Sequence, residues 1–219
     1  MESPVIKHCK MSGAVRLAGL ALLTVLVCLT PAAAAGTLVV APHPDDDIIT
    51  SAGVVYRSVQ NGVPTKVVFM TNGDWAGIGR GYERQDEAAA AQIDFLGMTE
   101  SNLIFLGYPD GYLQDLDQNY PNSGDQLTTH NGQSETYGTR GLGGADYHTY
   151  RFGSAASYNR SNILTDLQDI LVTYQPDHIY VTSEVENHTD HATTSTLLIL
   201  ALDQAILSVP GYNPTVHKT

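Results

Sequence analysis

Thr37-Leu38-Val39-Val40-Ala41-Pro42-His43-Pro44-Asp45-Asp46-Asp47-Ile48-Ile49 is the stretch that decides the fold. Five residues suited to a buried strand end on a proline-flanked turn, and a helical pattern starts at about Asp46. Ile48, Ile49, Ala52, Val55 and Tyr56 then recur at helical spacing, which predicts an apolar helix face closed by Asn61-Gly62. A buried strand feeding directly into a helix is the opening of an α/β unit.

The same alternation continues outward from that stretch. Lys66 to Met70, Asn102 to Leu106 and His178 to Thr182 read as strands, and Glu83 to Leu96, with Gly97 after it, as a helix. A further helix capped by Asn159 or Ser161 carries the stripe Ile163, Leu164, Leu167, Ile170, Leu171 and Tyr174, and a last apolar helix covers about Asp190 to Ser208. The pattern predicts an α/β fold, a Rossmann-like three-layer sandwich with a mainly parallel sheet, in one domain without internal repeats. Such a domain calls for another strand after the last helix, so the chain is read as incomplete at the C-terminus. Between the third strand and Tyr158 lies a long polar stretch, 107–158, in or beside which seven of the 12 tyrosines fall. A loop of that length is more often functional or partly mobile than inert.

Residues 1–35 read as a secretory signal peptide: Lys7, Lys10 and Arg16, an apolar run from Leu17 to Leu29, then Pro31-Ala32-Ala33-Ala34-Ala35. The run is shorter than the roughly 18 residues of a membrane span. The expected mature domain is therefore 36–219, secreted or extracytoplasmic. Both cysteines, Cys9 and Cys28, lie in the leader, which leaves the mature chain no thiolate ligand. The net charge of −12 becomes −14 once Lys7, Lys10, Arg16 and Glu2 are set aside. That charge disfavours nucleic acid and anionic membranes as partners.

Ligands of parallel sheets bind beyond the carboxyl ends of the strands. Four polar motifs fall there: His43-Pro44-Asp45-Asp46, Thr71-Asn72-Gly73-Asp74, Tyr108-Pro109-Asp110-Gly111 and His188-Thr189-Asp190-His191. The first and last offer imidazole and carboxylate at a three-residue spacing, and a His₂Asp set with open positions suits metal-assisted hydrolysis. Asp46 is turned back towards His43 by the entering helix, while Asp45 points elsewhere and is free to act as a base. His188 and His191 share a helix face, and Asp190 can orient a neighbouring imidazole. Taken singly, the first cluster serves equally well as a carboxylate-rich helix start, and the second is more often a polar helix cap with solvated histidines; their convergence on one sheet edge favours a metal.

These residues resemble the zinc-dependent N-acetylglucosaminyl deacetylases of the PIG-L/LmbE type. The resemblance rests on Ala41-Pro42-His43-Pro44-Asp45-Asp46-Asp47 and on His188-Thr189-Asp190-His191. Thr71-Asn72-Gly73, Arg84 with Glu87, and Leu106-Gly107-Tyr108-Pro109-Asp110-Gly111 extend it over most of the mature chain. It implies that His43, Asp46 and His191 bind Zn2+. It further implies that Asp45 is the general base, that His188, tuned by Asp190, serves the oxyanion or the leaving amine, and that Arg84 and Asp110 meet sugar hydroxyls. Asp47 stands in place of the family's glutamate and Thr189 in place of its second-motif proline; neither change removes a ligand. The implied substrate is an N-acetylated sugar or glycoconjugate. The alternatives are an amidase of another N-acyl or thiol-conjugate substrate and a non-catalytic, metal-stabilised carbohydrate-binding protein. Iron, cobalt and manganese also suit a His₂Asp set. Trp75 flanks this edge, as a packing residue or a wall of the site. His130, His148, His178 and His217 read as surface or structural.

Overall fold

The computed structural model describes residues 36–219, so the leader lies outside the described residues. Five strands form one all-parallel sheet in the order β3-β2-β1-β4-β5. They are β1 (Thr37–Ala41), β2 (Thr65–Thr71), β3 (Leu103–Tyr108), β4 (His178–Val181) and β5 (Thr215–Lys218). The helices are α1 (Asp46–Gln60), α2 (Ile78–Ala90), α3 (Leu113–Asn119), α4 (Tyr147–Phe152), α5 (Arg160–Tyr174) and α6 (Thr189–Ser208). The α/β class and the parallel sheet read from the alternating pattern are those observed. Among the described residues no helix is long and apolar enough to cross a membrane.

Strand side chains alternate between two cores, as the period of two requires. Val39, Ala41, Val67, Phe69, Leu103 and Phe105 pack against Val55 of α1 and Ala88 and Ala89 of α2. Leu38, Val40, Val68, Met70, Ile104 and Leu106 face α3, α5 and α6 on the other side. This gives the three layers. Leu197, Leu198, Ala201 and Ala205 of α6 are fully buried, which seats the start of that helix against the sheet. Truncating one of these leucines to alanine costs about 2–5 kcal/mol.

The structure corrects the sequence reading in three places. Ile49 and Tyr56 are not on the buried face of α1; they are 74% and 51% exposed, and the buried stripe runs through Asp47, Ser51 and Val55. Buried Asp47 meets Gln92 there, which rotates the helix away from the apolar face read from the sequence. Secondly, α2 begins earlier, at Ile78, and its last turn, Ala91–Phe95, is a π-turn. Thirdly, the strand expected after α6 is β5, whose four residues pair with β4 from Thr215 to Lys218.

The 107–158 stretch is packed rather than open. It contains α3 and α4 and is held by Thr136 Oγ1 donating to Asp146 (2.8 Å) and Asn72 Nδ2 donating to the Tyr137 carbonyl (2.9 Å). Tyr108, Tyr147 and Tyr158 are buried. His148 is structural as expected, bonded to buried Asp166, and His178 meets His217 across β4 and β5 at 3.1 Å.

Candidate functional site

The chain runs outward from β1 through β2 to β3, then crosses back to place β4 on the other side of β1. Ligands of open parallel sheets bind at such a reversal. His43 leaves the end of β1, and the start of α6 follows β4 beside it. Thr71 ties the first turn down, donating through its backbone N (3.0 Å) and Oγ1 (2.9 Å) to the Pro42 carbonyl. Thr182 Oγ1 holds the carbonyl of His191 at 3.0 Å, fixing the second cluster to β4.

The two clusters, 147 residues apart between His43 and Asp190, are in contact. His43 is buried, with Nδ1 3.0 Å from Asp46 Oδ2. The same oxygen is 3.2 Å from His191 Nε2. The other ring nitrogen of His43, Nε2, faces Asp110 Oδ1 at 3.1 Å and Asp190 Oδ2 at 3.2 Å. His188 closes the group: its ring centroid is 4.9 Å from that of His43 and 4.8 Å from that of His191. His43, His188 and His191 each offer a ligand atom within 4.8 Å of the others, and so do His43, Asp110 and Asp190.

The electrostatics are those of a cation site. Burial alone would lower the His43 pKa, yet hydrogen bonds to Asp110, Asp190 and Asp46 raise it to about 11. Burial raises the carboxyls of Asp46 and Asp110, but their bonds and proximity to His43 win and hold both below the ordinary value. Burial lowers the pKa of His191. Three carboxylates thus surround one imidazole in a space screened from water.

The donor set fits a divalent metal, and the two nitrogens of His43 divide the work. Asp190 is fully buried and accepts from the backbone N–H of Gly111 (2.7 Å) and Leu113 (3.1 Å), so its position is fixed. A carboxylate held in this way can accept the Nε2 proton of His43, which would leave Nδ1, turned towards Asp46 and His191, to serve a bound metal. The imidazole that Asp190 meets is therefore His43 rather than His188.

The remaining residues named from the sequence gather around this centre. Asp45 is exposed and forms an ion pair with Arg84 at 2.7 Å. Arg84 lies over Gly73, whose φ is +63°, and a Cβ at that position would fall inside the guanidinium. His188 is exposed at the mouth, ahead of α6. One residue had no assigned role in the sequence reading: Asp74, buried, accepts from the backbone N of Asp110 (3.0 Å) and from the Tyr137 hydroxyl (2.8 Å). Burial raises the pKa of its carboxyl. Its place at the end of β2 was the available signal; its partner Tyr137, from the long loop, had none.

A family profile described as PIG-L, GlcNAc-PI de-N-acetylase, matches residues 38–202. No curated protein matches the chain significantly. Among solved structures, a conserved protein from Thermus thermophilus is 21% identical, covers 84% of this chain and 61% of its own, and gives a TM-score of 0.51. A deacetylase triple mutant from the teicoplanin biosynthetic pathway is 15% identical over 84% of this chain and 69% of its own, with a TM-score of 0.51. The N,N'-diacetylchitobiose deacetylase from Pyrococcus horikoshii is 21% identical over 85% of this chain and 58% of its own, with a TM-score of 0.49. The likeness at these identities is one of fold. This chain spans 61% and 58% of the lengths of the Thermus and Pyrococcus proteins.

Proposed function

This chain belongs to the PIG-L family of GlcNAc-PI de-N-acetylases, and from that premise we propose that it is a metal-dependent hydrolase that removes N-acetyl groups from an amino sugar or glycoconjugate. The observation that carries the proposal is the buried His43 imidazole set between Asp46 on one side and Asp110 and Asp190 on the other, with His188 and His191 beside it. A carbohydrate-binding module has no use for a buried imidazole among three carboxylates with a further carboxylate and imidazole at the mouth.

His43, Asp46 and His191 would hold the metal, with zinc the ion best suited to two imidazoles and one carboxylate. When bound, it would lower the pKa of a water and polarise the amide carbonyl. Asp45 takes the proton from the attacking water, and its ion pair with Arg84 keeps the carboxylate in one orientation. The water oxygen bonds to the carbonyl carbon, the C–N bond breaks, and His188 gives a proton to the departing nitrogen. Acetate and a free amine result. Asp190 holds His43 through Nε2, and Asp74 holds the backbone from which Asp110 projects. The proposal extends to an exported enzyme, supported by the leader-like residues 1–35 and the acidic balance.

The test is release of free amine from N-acetylglucosamine and its oligomers by the zinc-loaded chain. Asp45→Ala and His188→Ala are each expected to lower kcat by about 10²–10⁴ with zinc retained. Zinc bound but no amine released from a broad panel of N-acyl compounds would overturn the enzyme. Full activity in Asp45→Ala would remove that residue as the base.

A further inference from the structure

We propose that Trp75, flanked by Tyr112 and His130, is a stacking platform for the sugar ring next to the one being deacetylated, so that the enzyme takes oligosaccharides in preference to single sugars. The inference rests on the reading of the site as a deacetylase. Trp75 is the single tryptophan of the chain and is 56% exposed. Leaving so much of an indole in water is unfavourable, yet this one is held in place on several sides.

Its carbonyl accepts from Asn131 Nδ2 at 3.1 Å and lies 3.0 Å from His130 Nε2. The His130 ring stands 4.5 Å from the indole and the Tyr112 ring 5.9 Å, centroid to centroid. Tyr112 and His130 are locked to each other, since the Tyr112 hydroxyl sits 3.0 Å from His130 Nδ1 and accepts from the His130 backbone N at 3.0 Å. Beneath the indole, Gly111 leaves the space it occupies: a Cβ there would lie 2.8 Å from Cε3 and Cζ3. Three rings from three separate chain segments thus form one rigid, half-open aromatic surface. Rigid rings bind with little loss of side-chain freedom.

Its distance from the chemistry defines its occupant. The Gly111 N–H beneath the indole bonds to Asp190, which in turn meets His43. The backbone N–H of Trp75 points to Asp110 Oδ2 at 3.4 Å, and the other oxygen of that carboxylate meets His43. Through these two backbone contacts the platform borders Asp110 and Asp190, the carboxylates beside His43, so that the indole takes the adjoining ring and not the acetyl group under attack. A pyranose offers a face of C–H bonds to an aromatic ring and hydroxyls at its rim. The acidic chain selects against anionic polymers. The ligand class is a neutral N-acetylated oligosaccharide.

The single tryptophan makes the test direct, because all indole emission comes from the platform. Titrating the zinc-loaded chain with N-acetylglucosamine and its di- and tetrasaccharide should give a saturable emission change, with tighter binding for the longer sugars. Trp75→Ala should raise KM for the tetrasaccharide by about 2- to 12-fold, the range of one aromatic stacking contact. KM for the monosaccharide and kcat for both should stay unchanged, and Trp75→Phe should restore part of the loss. An emission change with an octanoyl amide but none with any sugar would overturn the proposal, as would equal KM shifts for mono- and tetrasaccharide or none at all. The two readings fail separately. Saturable emission with oligosaccharides but no amine release sinks the hydrolase and keeps the platform; amine release unaffected by Trp75→Ala does the reverse.

Discussion

Replacing Asp190 by alanine tests the arrangement that joins the two halves of the site. Asp190 is fully buried and makes three contacts: the N–H of Gly111, the N–H of Leu113, and Nε2 of His43. Alanine leaves the two N–H groups without an acceptor. A buried polar group left unpaired costs about 1–3 kcal/mol. Leu113 is buried and incurs that cost fully, whereas exposed Gly111 can turn to water. The first turn of α6 also loses a favourable negative charge, about 0.3–1 kcal/mol. The expected loss is therefore about 1–4 kcal/mol, measured by urea unfolding. Zinc affinity should fall about 10- to 100-fold, the usual consequence of removing a group that orients a metal-binding histidine, measured by competition with a chromophoric chelator. Asp190→Asn separates the effects: its amide oxygen keeps one N–H paired, so less stability is lost, but zinc affinity still drops. A stability change under about 0.5 kcal/mol together with unchanged zinc affinity would refute the reasoning.

Gly73→Ala forces a Cβ into the Arg84 guanidinium at a positive φ, so Arg84 must leave Asp45. The strain is about 1–2 kcal/mol, and kcat should fall while zinc stoichiometry stays at one, as read by amine release and metal analysis. His148, paired with Asp166 and not with the His43 cluster, supplies a separate pH dependence. Burial alone would lower its pKa, but the bond and charge of Asp166 outweigh burial and raise it. A raised histidine stabilises fully below its unfolded value and loses that contribution as pH rises through its folded one. The stability gap between wild type and His148→Ala should then be widest near pH 6 and narrow towards pH 9; urea unfolding showing a constant gap would contradict this.

Much of this organisation was legible because it is local. A short apolar strand, a helix start and a cluster of ligands after a strand are all properties of neighbouring residues, and Thr37 through Asp47 or His178 through His191 show them directly. The contacts that assemble the site are not local. Asp190 reaches back 77 and 79 residues to the backbone of Leu113 and Gly111, and Tyr137 reaches 63 residues to Asp74. No periodicity marks such pairs. The same holds for the 107–158 loop, whose composition reads as open and whose order comes from bonds such as Thr136 to Asp146 and Asn72 to the Tyr137 carbonyl. Strand β5 has only four residues, three of them polar, and acquires its conformation from pairing with β4. The α1 face was misplaced because a buried carboxylate, Asp47, takes the position that an isoleucine was expected to fill.

The central claim is that residues on either side of the β1–β4 crevice hold one metal ion. Its most direct measurement is the zinc content and affinity of the metal-stripped and reloaded chain, compared with His43→Ala and His191→Ala. The account predicts one tightly held zinc per chain, lost from each variant although both remain folded by circular dichroism. One zinc bound with unchanged affinity in His191→Ala would contradict it, because the second cluster would then be no part of the site.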